Sequence, residues 1–150
     1  MSFSQLYYHI IFRPKNSQRV IDEAHEKELY KYIWMKCKDM KCQLIRINGM
    51  PDHIHLLVAM PTTLSVADFV KTIKQTTHLF IRNNRHLFPA FESWGKSFCA
   101  LTYGRNAVPA VKAYIMNQKQ HHAKMSYEDE LRKIFQDNGI PYKEEFLLKD

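Results

Sequence analysis

Four short runs rich in β-branched and aromatic residues, each ended by a turn or breaker, set the fold open to this chain. Leu6–Arg13 stops at Pro14, Cys42–Ile47 at the turn Asn48–Asp52, His53–Ala59 before Pro61, and Phe98–Tyr103 at Gly104. Composition and boundaries predict strands. From about Asp22 to Met40, Leu29, Ile33 and Cys37 recur at helical spacing, with Asp22 and Glu23 suited to the first turn. After Ser65, an N-cap with Asp68 three residues on, Val66, Phe69, Val70, Ile73, Phe80 and Ile81 form the apolar face of a second helix. Arg85 to about Lys96 reads as a loop. The order β-α-β-β-α-β is the split βαβ, or ferredoxin-like, pattern: an α+β fold with a four-stranded antiparallel sheet and two helices on one face. It leaves the other face of the sheet free for a ligand or partner.

Beyond Gly104, Asn106 is expected to cap a third helix with Pro109 in its first turn. Ser126 and Asp129 form a capping box before a short amphipathic helix from Tyr127 to about Asp137, stopped by Asn138, Gly139 and Pro141. With 150 residues, one domain is expected, made of a sheet core (1–104) and a helical tail (105–150). No apolar run approaches a membrane span, the first residues lack a signal-peptide layout, and three cysteines show no metal-type spacing, so a reduced cytoplasmic protein is expected. Residues 1–127 hold 18 basic and 8 acidic residues, and residues 128–150 hold 4 and 7. A basic body with an acidic tail points to a polyanionic partner such as nucleic acid.

Two constellations can carry chemistry. In the third strand, His53 and His55 project from one face, while Ile54, Leu56 and Val58 point towards the helices. Two neutral imidazoles side by side are half of a divalent metal site. In the third helix, Tyr114 and Gln118 are four residues apart on one face, at the border of the stripe Val108, Val111 and Ile115. Taken alone, Tyr114 reads as a core-edge tyrosine. His121 and His122 follow as candidates for further site contacts or for interaction with the helix dipole. His9, His25, His78 and His86 read as surface or sheet residues.

Met50-Pro51-Asp52-His53-Ile54-His55-Leu56-Leu57-Val58, followed by Val111 to His122, resembles the single-tyrosine HUH transposases of the insertion sequence 200/605 group and their relatives associated with repetitive extragenic palindromes. The likeness extends to the early strand, Trp94-Gly95, and the tail from Tyr127 to Tyr142. The resemblance implies that His53, His55 and Gln118 hold a divalent metal, Mg²⁺ or Mn²⁺, and that Tyr114 is the nucleophile. It also implies single-stranded DNA hairpins at element ends as substrate. A homodimer is implied too, with the tyrosine helix exchanged or docked between subunits, and no nucleotide cofactor.

On that reading Tyr114 attacks a phosphodiester, leaving a 5′-phosphotyrosine and a free 3′-hydroxyl that can be rejoined. Lys71, Lys74, Arg82, Arg85 and Arg105 are the candidate phosphate contacts. Gly104, between the fourth strand and the tyrosine helix, is a candidate hinge. Two other readings stay open. One is a catalytically silent or domesticated relative that binds palindromic hairpins. The other is a metal-dependent hydrolase that uses water, which needs a carboxylate base near the His pair. Asp52 is adjacent but reads as a turn residue.

Overall fold

The computed structural model describes residues 2–148. Its sheet contains β1 (Tyr7–Pro14), β2 (Gln43–Met50), β3 (His53–Ala59) and β4 (Trp94–Tyr103) in the order β2-β3-β1-β4, every neighbour antiparallel. Helices α1 (Glu26–Asp39) and α2 (Val66–Asn83) cover one face. There Ile10, Phe12, Ile54, Leu56 and Val58 meet Leu29, Ile33, Phe69 and Ile73 in the main core. The α+β split βαβ expectation therefore holds. Among the described residues no helix is long and apolar enough to cross a membrane.

Local chemistry explains the differences at element ends. Asp22 does not open α1; its Oδ1 accepts from Ala24 N (2.9 Å) in a turn that precedes the helix. At the other end Lys41 is left-handed (φ 59°), and Cys42 N donates to Cys37 O (2.8 Å). The second strand continues through Asn48, Gly49 and Met50, so the hairpin turn shrinks to Pro51-Asp52. Pro51 O fixes that turn by accepting from Val20 N and Ile21 N. The fourth strand starts at Trp94, because Trp94 pairs with Pro14 across a bulge and its indole donates to Thr77 Oγ1 (2.9 Å). Ser65 and Ser126 cap α2 and α5 (Tyr127–Asp137) as expected, accepting from Asp68 N and Asp129 N.

Gly49 packs too tightly for any side chain: a Cβ there would lie 2.3 Å from His53 O. Gly49→Ala must push β2 from β3 at the start of the His53 strand. We expect a loss of about 1–3 kcal/mol, read as a lower Tm in thermal melts.

The second face of the sheet departs from expectation. It is covered rather than open. Helix α3 (Val108–Met116) sets Val111 and Ile115 on Leu57, and α5 sets Tyr127 and Leu131 on Ile11. Helix α5 is amphipathic and α3 is largely apolar, and both follow the last strand closely, so each buries its apolar side on the sheet. Asn106 does not cap α3: it lies in a 3₁₀ turn (Arg105–Ala107), and Ala107 occupies the cap position without a side-chain bond. Asn117 breaks the tyrosine helix, and Gln118 begins a separate short turn, α4 (Gln118–His121).

Candidate metal and tyrosine site

The period-two alternation of β3 puts His53 and His55 on the covered face, both fully buried. Each ring is oriented through its Nδ1. His53 Nδ1 donates to Asp52 Oδ1 (2.7 Å), and His55 Nδ1 shares a hydrogen bond with His9 Nε2 (2.8 Å). Their Nε2 atoms are thereby aimed into a common space. A ligating imidazole fixed through its other nitrogen is the usual arrangement around a protein-bound metal.

Helix α3 is held against the sheet edge by Asn48, whose Nδ2 donates to Ile115 O and Met116 O (3.1 Å each). This brings the chain's own Tyr114 and Gln118 to its own histidines. Gln118 is fully buried, with Oε1 3.1 Å from His53 Nε2. Tyr114 is half-buried, and its ring meets those of His55 (5.9 Å) and His9 (6.1 Å) edge-on. A cleft of about 320 Å³ opens beside it, lined by Tyr103, Val111, Tyr114, His121, Glu130 and Ile134.

Glu130 lies at the centre of the cluster. Its Oε1 accepts from His55 Nε2 and His122 Nε2 (3.1 Å each) and is 3.3 Å from His53 Nε2. Its Oε2 accepts from the Tyr114 hydroxyl and from Gln118 Nε2 (3.0 Å), and His121 Nε2 is 3.2 Å away. Ligand atoms of His53, His55, His122 and Glu130 all lie within 4.8 Å of one another. Imidazole nitrogens with carboxylate and amide oxygens form a donor set that a divalent cation accepts. The residues present therefore fit a metal.

Electrostatics follow from burial and from Glu130. Burial raises the cost of the Glu130 charge, but hydrogen bonds from His122, His53 and His55 outweigh it and hold the carboxyl well below its usual range. Burial and the neighbouring Glu130 charge push the Tyr114 phenol up. Burial lowers His9 to about 3 and His55 to about 4, in His9 with help from its partner's charge. His53 is raised, because Asp52 and Glu130 outweigh its burial.

A stability profile follows. For His9 and His55 the folded pKa lies below the ordinary value of 6.5. The unfolded chain thus binds more protons as pH falls from 6.5 towards 4, and the fold loses stability over that window. His53 works in the opposite sense, since its contribution is present at low pH and is lost as pH rises. His121 is lowered by burial as well, so three groups against one give a net fall in Tm on acidification in metal-free buffer. Scanning calorimetry at pH 7, 6, 5 and 4 measures it, and a flat profile would contradict the buried neutral pair.

His53, His55, Tyr114 and Gln118 converge. His122 joins Glu130 on the histidine side, and His121 lines the cleft beside Tyr114. Lys71, Lys74, Arg82 and Arg85 lie on or just after α2, on the far side of the sheet. Lys74 donates to Gly95 O and Ser97 O, and Arg85 donates to Phe91 O, so both tie α2 and its following loop to the chain. Arg105 is exposed in the turn before α3. Gly104 has an ordinary extended backbone (φ −76°, ψ 164°) with open space around it, so this conformation does not require glycine.

Sequence reasoning missed His9 and Glu130. A signal for Glu130 was present: with Tyr127, Leu131 and Ile134 it falls on the apolar stripe of α5, where a lone carboxylate needs a partner. His9 gave none, because its contact depends on the β1–β3 register.

Comparison with known proteins bears on the family and the fold. The family described as "Transposase IS200 like" matches residues 2–118. The match thus takes in His53, His55, Tyr114 and Gln118, while His121, His122 and Glu130 lie beyond it. The chain is 27% identical over 124 residues to the ISDra2 transposase TnpA of Deinococcus radiodurans, covering 76% of this chain and 84% of that one. It is 23% identical over 115 residues to the transposase for insertion sequence element IS200 of Salmonella typhimurium, covering 74% and 75%. A crystal structure of a transposase from Deinococcus radiodurans superposes with a TM-score of 0.61 at 26% identity, over 78% of this chain and 93% of that one. A REP-associated tyrosine transposase bound to a REP hairpin shares the fold, with a TM-score of 0.58 at 13% identity over 83% and 76%. A family match over most of the chain, on a sheet of this topology, has one consequence: the chain belongs to the IS200-like transposase family.

Proposed function

We propose that the protein cleaves and rejoins single-stranded DNA at element ends, with Tyr114 as the nucleophile. The observation that carries this is the meeting of half-buried Tyr114 with buried His53, His55 and Gln118, from a strand and from two successive helical segments about sixty residues away, with a cleft beside the phenol.

The scissile phosphate enters through the cleft and lies against Tyr114. His53, His55 and Gln118 would hold a divalent ion, Mg²⁺ or Mn²⁺, which when bound would supply charge withdrawal from a phosphate oxygen. Tyr114 Oη bonds to phosphorus as its proton passes to Glu130 Oε2, which already accepts a hydrogen bond from the phenol. The P–O3′ bond breaks, and the proton moves on from Glu130 through water to the departing oxygen, so that the carboxylate is restored. The products are a 5′-phosphotyrosine and a free 3′-hydroxyl, whose attack on the phosphotyrosine reverses the step. No nucleotide cofactor enters the balance.

Hairpin DNA is the proposed ligand, with exposed Lys71, Arg82 and Arg105 among its phosphate contacts. A homodimer that exchanges the tyrosine helix about Gly104 is compatible with this scheme. The hydrolase reading gains its carboxylate in Glu130, but the Oε2 atom that would activate water is engaged by Tyr114.

The test is incubation with single-stranded hairpins and Mn²⁺ or Mg²⁺, followed by denaturing electrophoresis. A band of covalent protein–DNA adduct is expected. Hairpin binding with no adduct across a broad hairpin set would establish the binding-only reading instead.

A further inference from the structure

We propose that His122 and Glu130 complete the metal centre, so that it has three imidazoles and a carboxylate, selects a transition-metal ion such as Mn²⁺ over Mg²⁺, and is linked through Glu130 to Tyr114. This rests on the reading above that His53 and His55 hold a divalent ion. It adds two ligands from the tail and a choice of metal.

His122 is presented as the other two histidines are. Its Nδ1 donates to Met125 O (2.7 Å), which leaves Nε2 pointing at Glu130 Oε1 (3.1 Å), and its side chain is only 4% exposed. All three rings therefore have Nδ1 anchored, by Asp52, His9 and Met125, and Nε2 turned to one point. A histidine kept only for packing or for the helix dipole has no need of that shared orientation.

The two oxygens of Glu130 face different partners. Oε1 faces the three Nε2 atoms, and Oε2 faces the Tyr114 hydroxyl and Gln118 Nε2. A carboxylate 1% exposed among imidazoles is the charge that a divalent ion seeks. One residue thus touches both the ion's space and the reacting phenol. Chemistry then decides the metal. Mg²⁺ takes oxygen ligands and keeps its waters, whereas imidazole nitrogens favour first-row transition ions, with an affinity that is least for Mn²⁺ and higher for Zn²⁺.

Binding of Mn²⁺ to the full chain, followed by loss of the free-ion signal in electron paramagnetic resonance, tests this without reference to activity. The wild type is expected to bind one Mn²⁺ and to keep most of it against about a hundredfold excess of Mg²⁺. Glu130→Gln and His122→Gln should each weaken binding at least about tenfold. Glu130→Asp keeps the charge, and a loss intermediate between wild type and Glu130→Gln is expected. Circular dichroism establishes which variants fold, and any one folded variant suffices for the comparison. Wild-type affinity in the folded variants overturns the proposal, as does failure of the wild type to bind Mn²⁺. Tighter binding in Glu130→Gln also overturns it, since the carboxylate would then be a plug in the ion's place. The adduct assay on the wild type separates the two readings. Mn²⁺ binding that depends on Glu130, with no adduct, removes the cleavage reading and leaves the centre. An adduct with Mn²⁺ binding indifferent to both residues does the reverse.

Discussion

Tyr114→Phe is expected to abolish the covalent protein–DNA adduct, reducing it to background while hairpin binding persists. The substitution removes one oxygen. The ring and its edge contacts with His55 and His9 remain. Glu130 loses one donor of several, since His55, His122 and Gln118 still donate to it. The cost to stability is then no more than about 1.5–3 kcal/mol, the range for a hydrogen bond to a charged group. Phosphate contacts are untouched, so the salt dependence of hairpin affinity should match the wild type. His53→Ala should also remove the adduct, by a different route: it leaves the nucleophile and takes away the metal's first ligand. An adduct that survives Tyr114→Phe would require another nucleophile. Cleavage by wild type and variant alike, with no adduct in either, would mean that water attacks, and Glu130 would then be its base.

The four residues first singled out were legible because their geometry is local. His53 and His55 share a face through the two-residue period of a strand, and Tyr114 and Gln118, four residues apart, stay on one side although the helix breaks between them at Asn117. The fold was legible for a similar reason: Pro14, Pro61 and Gly104 end runs whose residue types leave little choice. What escaped depends on pairing at a distance. His9 meets His55 only because β1 lies against β3 in the register that sets Ile11 opposite His55. The start of β4 at Trp94 needs its partner Pro14 and the Thr77 hydroxyl on α2. The covered face needs α3 and α5 to turn back onto the sheet, and no spacing within either helix specifies that. Glu130 was hidden by a sufficient local explanation, since an acidic residue in the first turn of a capped helix is what the helix dipole favours.

The position of α5 makes Tyr127→Ala the substitution with the largest expected effect on stability. Tyr127 is 5% exposed and packs with Ile11, Leu131 and Leu147. Its ring also stacks on His53, with centroids 4.0 Å apart and planes 11° apart. Truncating a buried aromatic costs about 3–5 kcal/mol, which in a chain of this size lowers Tm by about 6–20 °C. Tyr127→Phe keeps the ring and should melt within a few degrees of the wild type. Because the same helix carries Glu130, Tyr127→Ala loosens the carboxylate that holds His55, His122 and Tyr114. Amide exchange should therefore rise first along Tyr127–Asp137 and around His53, whose ring stacks on Tyr127. The core between the sheet and helices α1 and α2 has its own buried cluster, Ile10, Phe12, Leu29 and Phe69 among its members, and should stay protected. A Tyr127→Ala protein that melts within about 2 °C of the wild type would mean that α5 does not hold the second face of the sheet. A loss of protection spread evenly over both faces would mean that the site is not a separate unit, but shares its stability with the whole fold.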